Sequence, residues 1–291
     1  MRVPPLFGAC LETISQKTFY HTYWKTFSLV KADTDELREQ AFRLRHEVFC
    51  SDEFQGLHCG MADDLEKDAY DDRAAHYLLR HNDTGDIAGV VRTIHADMDS
   101  DIFSFPLQEV CDHPFIHDQN TEKKITEISR LCMAKTFRQR PGDGRALPAY
   151  TNIMQHYHNE DVGVSYIRRR IPFAPLGLLH AAFESALANK SMDCVVAMDP
   201  SDFHTLRDLG IVYKVLGPRL SHYAGMQAVV FNIKTVLDHM MQDNKPCWEI
   251  VTDHGRLHSI ANEIALENWS DTIFGQQTRD AIFVHAAQNQ E

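Results

Sequence analysis

Apolar positions recur at helical spacing over 33–50, where Leu37, Ala41, Leu44 and Val48 fall at i, i+4, i+7 and i+11. Asp33 or Thr34 supplies the cap, and Glu36 and Glu39 stand near the positive end of the helix. Apolar runs over 75–80 and 87–94 flank 82–86, a cluster of turn formers, and predict a hairpin. The stretch 126–135 reads as a further strand, with Ile128, Leu131, Cys132 and Met133 as its apolar residues. Residues 174–192 carry an amphipathic pattern (Leu176, Leu178, Leu179, Ala182, Phe183, Ala186, Leu187) and predict a helix. A short apolar strand follows at 193–198, a helix at 202–209, and strands at 211–216 and 226–233. Helical patterns return at 235–241, 257–269 and 280–287. The aromatic-rich segment 19–27 reads as a strand or a packed arm, 51–72 as an acidic loop, and 95–125 as irregular with a hydrophobic flap at 103–107. The expectation is an α/β (α+β) fold, a mixed central sheet flanked by helices. One domain would span 1–233, with 1–30 as an N-terminal arm, and 234–291 would be a helical extension.

Composition narrows the function classes. The chain has 291 residues, enough for a substantial core. A formal net charge of -12 argues against general nucleic-acid binding, which needs a basic footprint. No run approaches a membrane span. Seven cysteines, scattered and without a CxxC pair, argue against a disulfide framework and for a reducing cytoplasm. An acidic chain nevertheless carries a basic middle, including Arg138, Arg140, Arg145 and the triple Arg168-Arg169-Arg170. Such a patch suits phosphate groups or an acidic protein partner, or it balances surface charge.

The candidate chemistry lies where charge interrupts apolar pattern. Glu127 and Arg130 stand inside a strand, where ionised groups are costly to bury and need partners or a task. Strict alternation puts them on opposite faces, so both reach one cleft only if the strand carries a bulge. A structural pair of Glu127 with Arg130 or Arg92 is the bland alternative. Arg92 is another charge in an apolar strand. Of Arg43 and Arg45, crowded between Phe42 and Phe49, at least one is expected to line a cleft. Asp68 and Asp71 are either a solvated turn or carboxylates that pair with arginines. Gln139-x-x-Gly142-x-Gly144 forms a glycine-bearing loop that can turn backbone N–H groups toward a phosphate. His254-x-x-x-His258 and His156-x-His158 lack further metal ligands, and Cys132 reads as an inert strand thiol.

In order along the chain stand Leu44-Arg45-x-x-x-Phe49, Asp68-x-x-Asp71, Arg92, and Glu127-x-Ser129-Arg130. With the closing Leu216-Gly217-Pro218 and Tyr223-Ala224-Gly225, this pattern resembles the acyl-homoserine-lactone synthases and, above all, the related N-acyl amino acid synthases linked to PEP-CTERM/exosortase clusters. The resemblance covers roughly 28–233 and implies a GNAT-like acyltransferase fold. It implies transfer of a long-chain fatty acyl group from acyl carrier protein or acyl-CoA to the amine of an amino acid or related acceptor, with no permanently bound cofactor and no metal. It carries catalytic roles to Glu127, Ser129 and Arg130, and acceptor binding to Arg45, Phe49, Asp68, Asp71 and Arg92. Arg138, Gln139, Arg140, Gly142 and Gly144 would hold the donor's phosphate, and the acyl tail would run between the sheet and the 176–187 helix. The partner implied is an acyl carrier protein. Lactone synthases usually place a tryptophan just after the Phe49 position, where this chain reads Asp52-Glu53-Phe54-Gln55. The alternatives kept are a lactone synthase and a non-catalytic module that binds acyl thioesters or their carrier.

Overall fold

The computed structural model describes residues 16–50, 64–96, 103–117, 124–137, 174–221, 223 and 225–270. Helix α1 (Gln16–Thr26) leads into β1 (Phe27–Lys31), then α2 (Asp35–Phe49), β2 (Ala75–His81) and β3 (Ile87–His95). Two short helices, α3 (Leu107–Val110) and α4 (Pro114–His117), precede β4 (Ile125–Met133). There follow α5 (Leu176–Ala188), β5 (Asp193–Met198), α6 (Phe203–Asp208), β6 (Lys214–Arg219) and β7 (Gln227–Asn232). Helices α7 (Ile233–Asp243), α8 (Lys245–Thr252) and α9 (Arg256–Ser270) complete the described chain.

The mixed sheet predicted from the sequence is present. Seven strands lie in the order β1-β2-β3-β4-β5-β7-β6. All neighbours are antiparallel except β4 and β5, which run parallel. The β2–β3 hairpin turns through Gly85, whose φ of 74° suits a residue without a Cβ. Helix α2 starts where Thr34 caps it, its hydroxyl accepting the Leu37 N–H at 3.3 Å. Adjacent residues on β3 reach opposite faces of the sheet. Arg92 meets carboxylates beside α2, whereas Thr93 bonds Ser185 of α5 at 2.8 Å. The sheet is therefore covered by α2 on one face and α5 on the other.

Three readings of the sequence are corrected. The aromatic segment 19–27 is not a strand, although it does pack on the core. It is mostly helix α1, which packs Tyr23 into the core and delivers Phe27 to the edge strand β1. Helix α5 is buried around most of its circumference rather than along one stripe, because α8 and α9 cover its far side. The layer between α5 and the sheet, where an acyl tail was expected, is core filled by Leu178, Ala182 and Phe183. Helix α8, which the sequence pattern did not suggest, begins at an Asn244 cap with Pro246 in its first turn. Cys111, Cys132, Cys194 and Cys247 are buried and form no disulfide, whereas Cys50, at the end of α2, is disulfide-bonded. Among the described residues no helix is long and apolar enough to cross a membrane.

Candidate active site

The site forms where α2, the turn at 66–73, β3 and β4 meet. Arg45 comes from the inner face of α2 and is fully buried, while Arg43 stays outside and pairs with Glu39. Arg45 donates Nε to Glu66 at 2.5 Å and clamps Asp71 with both terminal nitrogens, at 2.8 and 3.0 Å. Such a two-pronged pair fixes angle as well as distance. Arg92 donates Nη1 to Asp68 and Asp71, each at 2.8 Å, and Nε to the Ser129 hydroxyl at 3.1 Å. Arg130 bonds Glu66 through Nε at 3.0 Å, reaches Asp68 through Nη2 at 3.3 Å, and gives Nη1 to the Tyr223 hydroxyl at 3.2 Å. The Arg130 guanidinium also lies 5.9 Å from the centre of the Phe49 ring. Three arginines and three carboxylates thus form one continuous network.

The bulge that the sequence required is in β4. Val90 pairs with Cys132 and Arg92 with Ser129, so β4 inserts one extra residue opposite Val91. Arg130 takes a φ of 53°, the left-handed region that non-glycine residues seldom adopt. The detour lets Arg130 reach Asp68, which Arg92 also holds, even though Glu127 and Ser129 occupy the alternating positions on that face.

Glu127 stands outside the ion pairs of this network. It is 3% exposed, and one carboxylate oxygen accepts the Leu107 N–H at 2.8 Å. Ser129 hydrogen-bonds the same carboxylate. Burial raises its pKa above the ordinary carboxylate value, opposed by the nearby Arg92 charge and by these two bonds. The paired carboxylates behave oppositely. Burial alone would raise Asp71 and Glu66 as well, but their arginines outweigh it and hold both below the usual range. Glu127 thus differs from Asp71 and Glu66 in having its pKa raised rather than lowered.

Glu127 also marks where the sheet divides. Strands β4 and β5 pair only at Ile125–Asp193, Thr126–Cys194 and Glu127–Val195. Beyond Glu127, β4 runs on to Met133 and β5 to Met198 without pairing to each other. A seam therefore begins at Glu127, with backbone polar groups of both strands along its sides.

Arg45, Phe49, Asp68, Asp71, Arg92, Glu127, Ser129 and Arg130 are brought together as the sequence pattern implied. Arg138, Gln139, Arg140, Gly142 and Gly144, like Arg168, Arg169 and Arg170, lie outside the described residues. Glu66 was missed, although it joins Arg45 to Arg130. Its signal was the acidic spacing Glu66-x-Asp68-x-x-Asp71. Tyr223 was noted only as part of a closing motif. The flap at 103–107 is anchored: Phe105 and Leu107 are buried, Arg73 holds the Phe103 and Ser104 carbonyls, and Tyr70 bonds Glu109. His254 stacks on Tyr20, and His258 bonds Asp238 and Trp248.

Residues 44–146 match the family model described as an acetyltransferase (GNAT) domain, a span that runs from α2 past β4 and contains every arginine and carboxylate of the network. Among solved structures, the chain is similar to FeeM, an N-acyl amino acid synthase from uncultured soil microbes, at 12% identity and a TM-score of 0.46, over 74% of this chain and 94% of that one. It is similar to the acyl-homoserine-lactone synthase LasI at 16% identity and a TM-score of 0.46, over 71% and 90% of the two chains. It is similar to BjaI, a CoA-dependent acyl-homoserine-lactone synthase, at 16% identity and a TM-score of 0.46, over 83% and 99%. No curated protein sequence matches the chain. On the match over residues 44–146, the chain carries an acyltransferase domain of the GNAT type.

Proposed function

We propose that this chain moves a long-chain fatty acyl group from an acyl thioester, on acyl carrier protein or coenzyme A, to the amine of an amino acid or related acceptor. The observation that carries the reading is Glu127, a buried carboxylate of raised pKa at the start of the seam between β4 and β5. An acceptor ammonium must lose a proton before it attacks. A carboxylate whose pKa has moved toward neutrality is suited to take it. The freed amine then attacks the thioester carbonyl carbon, and backbone N–H groups along the seam stabilise the oxyanion that forms. When the tetrahedral species collapses, the C–S bond breaks and its electron pair leaves with sulfur. The proton held on Glu127 passes through solvent to that thiolate, and the second proton, lost from the attacking nitrogen as the amide forms, goes to solvent. Arg45, Asp68, Asp71, Arg92 and Arg130 shape the acceptor side, with Phe49 beneath Arg130.

Mass spectrometry of lipids from cells expressing the wild type or Glu127→Gln tests this. The expected result is new N-acylated amino acids from the wild type and a roughly 100-fold or greater loss in the variant, with donor binding retained. Absence of any new amide, with folded protein and long acyl thioesters present, would favour a module that binds acyl thioesters without reacting them. Acylated lactones formed only with adenosylmethionine would favour the lactone synthase.

A further inference from the structure

Segment 103–117 lies over the sheet on the face that carries Glu127. Its Phe105, Leu107 and Ile116 form a second core with Ile125 of β4 and Val195 of β5. Ile125 and Glu127 are two apart on β4 and share that face. Through this apolar layer the segment reaches the Glu127 carboxylate with the Leu107 N–H, at 2.8 Å. That donor is available because Leu107 opens α3, and the first N–H groups of a helix have no partner within it.

Contacts nearer the surface hold the segment on both sides of Leu107. Before it, Arg73 Nη2 donates to the Phe103 carbonyl at 2.8 Å and to the Ser104 carbonyl. After it, Glu109 accepts the Tyr70 hydroxyl. The Arg73 guanidinium lies 5.1 Å from the centre of the Tyr70 ring, which ties the two holds together. Tyr70 and Arg73 belong to the turn at 66–73, whose Glu66, Asp68 and Asp71 pair with the arginines. One turn therefore grips the arginine network with its carboxylates and the cover of Glu127 with Tyr70 and Arg73. Arg73 and Glu109 are exposed, and exposed charged contacts add little to stability. Their place on either side of the donor to Glu127 gives them another task.

We propose that Tyr70 and Arg73 are positioning residues for Glu127, clasping segment 103–110 so that the Leu107 N–H stays on the carboxylate and favours its ionised form. This rests on the acyl-transfer reading above, in which Glu127 must be ionised to take the acceptor's proton. Burial works against the ionised form, while Arg92 of β3, the Leu107 N–H, and Ser129 and Arg130 of β4 work for it. Strand β5 places the apolar Val195 opposite. Loosening the clasp removes the one of these supports that the sheet does not supply.

The test is titration of Glu127 by NMR in the full-length protein, isotope-labelled at the glutamate side-chain carboxyl carbon, the resonance being identified by its loss in Glu127→Gln. Tyr70→Phe deletes the hydroxyl, keeps the ring beside Arg73 and alters no formal charge. It should raise the Glu127 midpoint by about 1 pH unit. Arg73→Gln should move it the same way, and Glu109→Gln, whose amide oxygen still accepts the Tyr70 hydroxyl, should leave it near the wild-type value. A contact that serves stability alone would lower the melting temperature and leave the midpoint in place. That outcome in folded Tyr70→Phe and Arg73→Gln overturns the assignment. Turnover with palmitoyl-CoA or palmitoyl carrier protein is the second measurement. The acidic limb of kcat against pH should move up with the midpoint. A limb that stays while the midpoint moves, or no turnover at all, counts against Glu127 as the base of acyl transfer, and the titration still decides the clasp.

Discussion

His76 sits directly beneath the network, 1% exposed, with Nε2 facing Asp71 and its ring edge-on to Phe42. Burial pushes its pKa down to about 4, against an ordinary value of 6.5, outweighing the attraction of Asp71. The folded state therefore resists protonation that the unfolded chain accepts. The resulting stability is fully present above pH 6.5 and is lost as pH falls from 6.5 toward 4. The difference of 2.5 units corresponds to about 3 kcal/mol. Asp71 is shifted in the same direction, to a folded pKa below its unfolded value, but from a lower starting point, so its contribution stays intact down to the ordinary carboxylate range and fades only below it. Denaturation by urea at a series of pH values separates the two windows. His76→Phe should remove most of the loss attributable to His76 between pH 6.5 and 4, with His95 and His180, also lowered by burial, supplying what remains. It should leave the steeper loss below pH 4. At this scale the sequence was legible for charges inside apolar patterns, such as Arg45, Arg92 and Glu127. It was not legible for Glu66 or His76, whose roles come from the three-dimensional path of a loop and from a neighbouring strand.

Elements decide whether those side chains meet. Glu127 and Arg130 are three apart, so their shared site required a β4 bulge, and the register slip opposite Val91 supplies it. That much could be argued from alternation alone. What alternation could not give is how closely β3 lies against the bulged strand. A Cβ on Gly89 would come within 2.6 Å of the Met133 sulfur, 2.8 Å of the Cys132 carbonyl oxygen and 3.0 Å of Leu178. The methionine can swing away, but the carbonyl belongs to the backbone of β4 just past the bulge. Gly89→Ala should therefore destabilise the protein by about 1–3 kcal/mol, read as a lower denaturation midpoint. Because the strain falls on Cys132 and Met133, the same variant should also lose acyl transfer under conditions where it remains folded. Equal stability and activity would mean that β4 can shift without disturbing Arg130. The β2–β3 hairpin, β5 and α2 were legible because short-range pattern and turn chemistry determine them. Helix α8 was not, because Trp248, Ile250 and Val251 gain their meaning from the helix they cover.

The largest scale concerns how the two ends of the chain hold the middle. Helix α5 backs the sheet and is buried nearly all round, a state no isolated amphipathic helix can reach. From the N-terminal side, the Tyr23 hydroxyl donates to the Ala174 carbonyl and accepts the Gly177 N–H, both at 2.6 Å, capping the start of α5. From the C-terminal side, α7, α8 and α9 contribute Val236, Leu237, Met240, Cys247, Ile250, Val251, Leu257 and Ala261, all fully buried, to the core that contains Leu178, Ala182 and Phe183. Tyr20 joins the two ends through Asp253 at 2.6 Å. Side chains of this size contribute about 1.5–3 kcal/mol each when buried, and a domain's net stability is only about 5–15 kcal/mol. Losing even a few of them removes that margin. Residues 234–270 are therefore expected to be inseparable from the rest, despite the sequence reading that set 234–291 apart as an extension. A chain ending at 233 should lack a cooperative thermal transition and should bind hydrophobic dyes, because one side of α5 would face water. A truncated protein that melts cooperatively and still transfers acyl groups would restore the boundary at 233. It would also move the support of α5 onto α1 and the sheet alone.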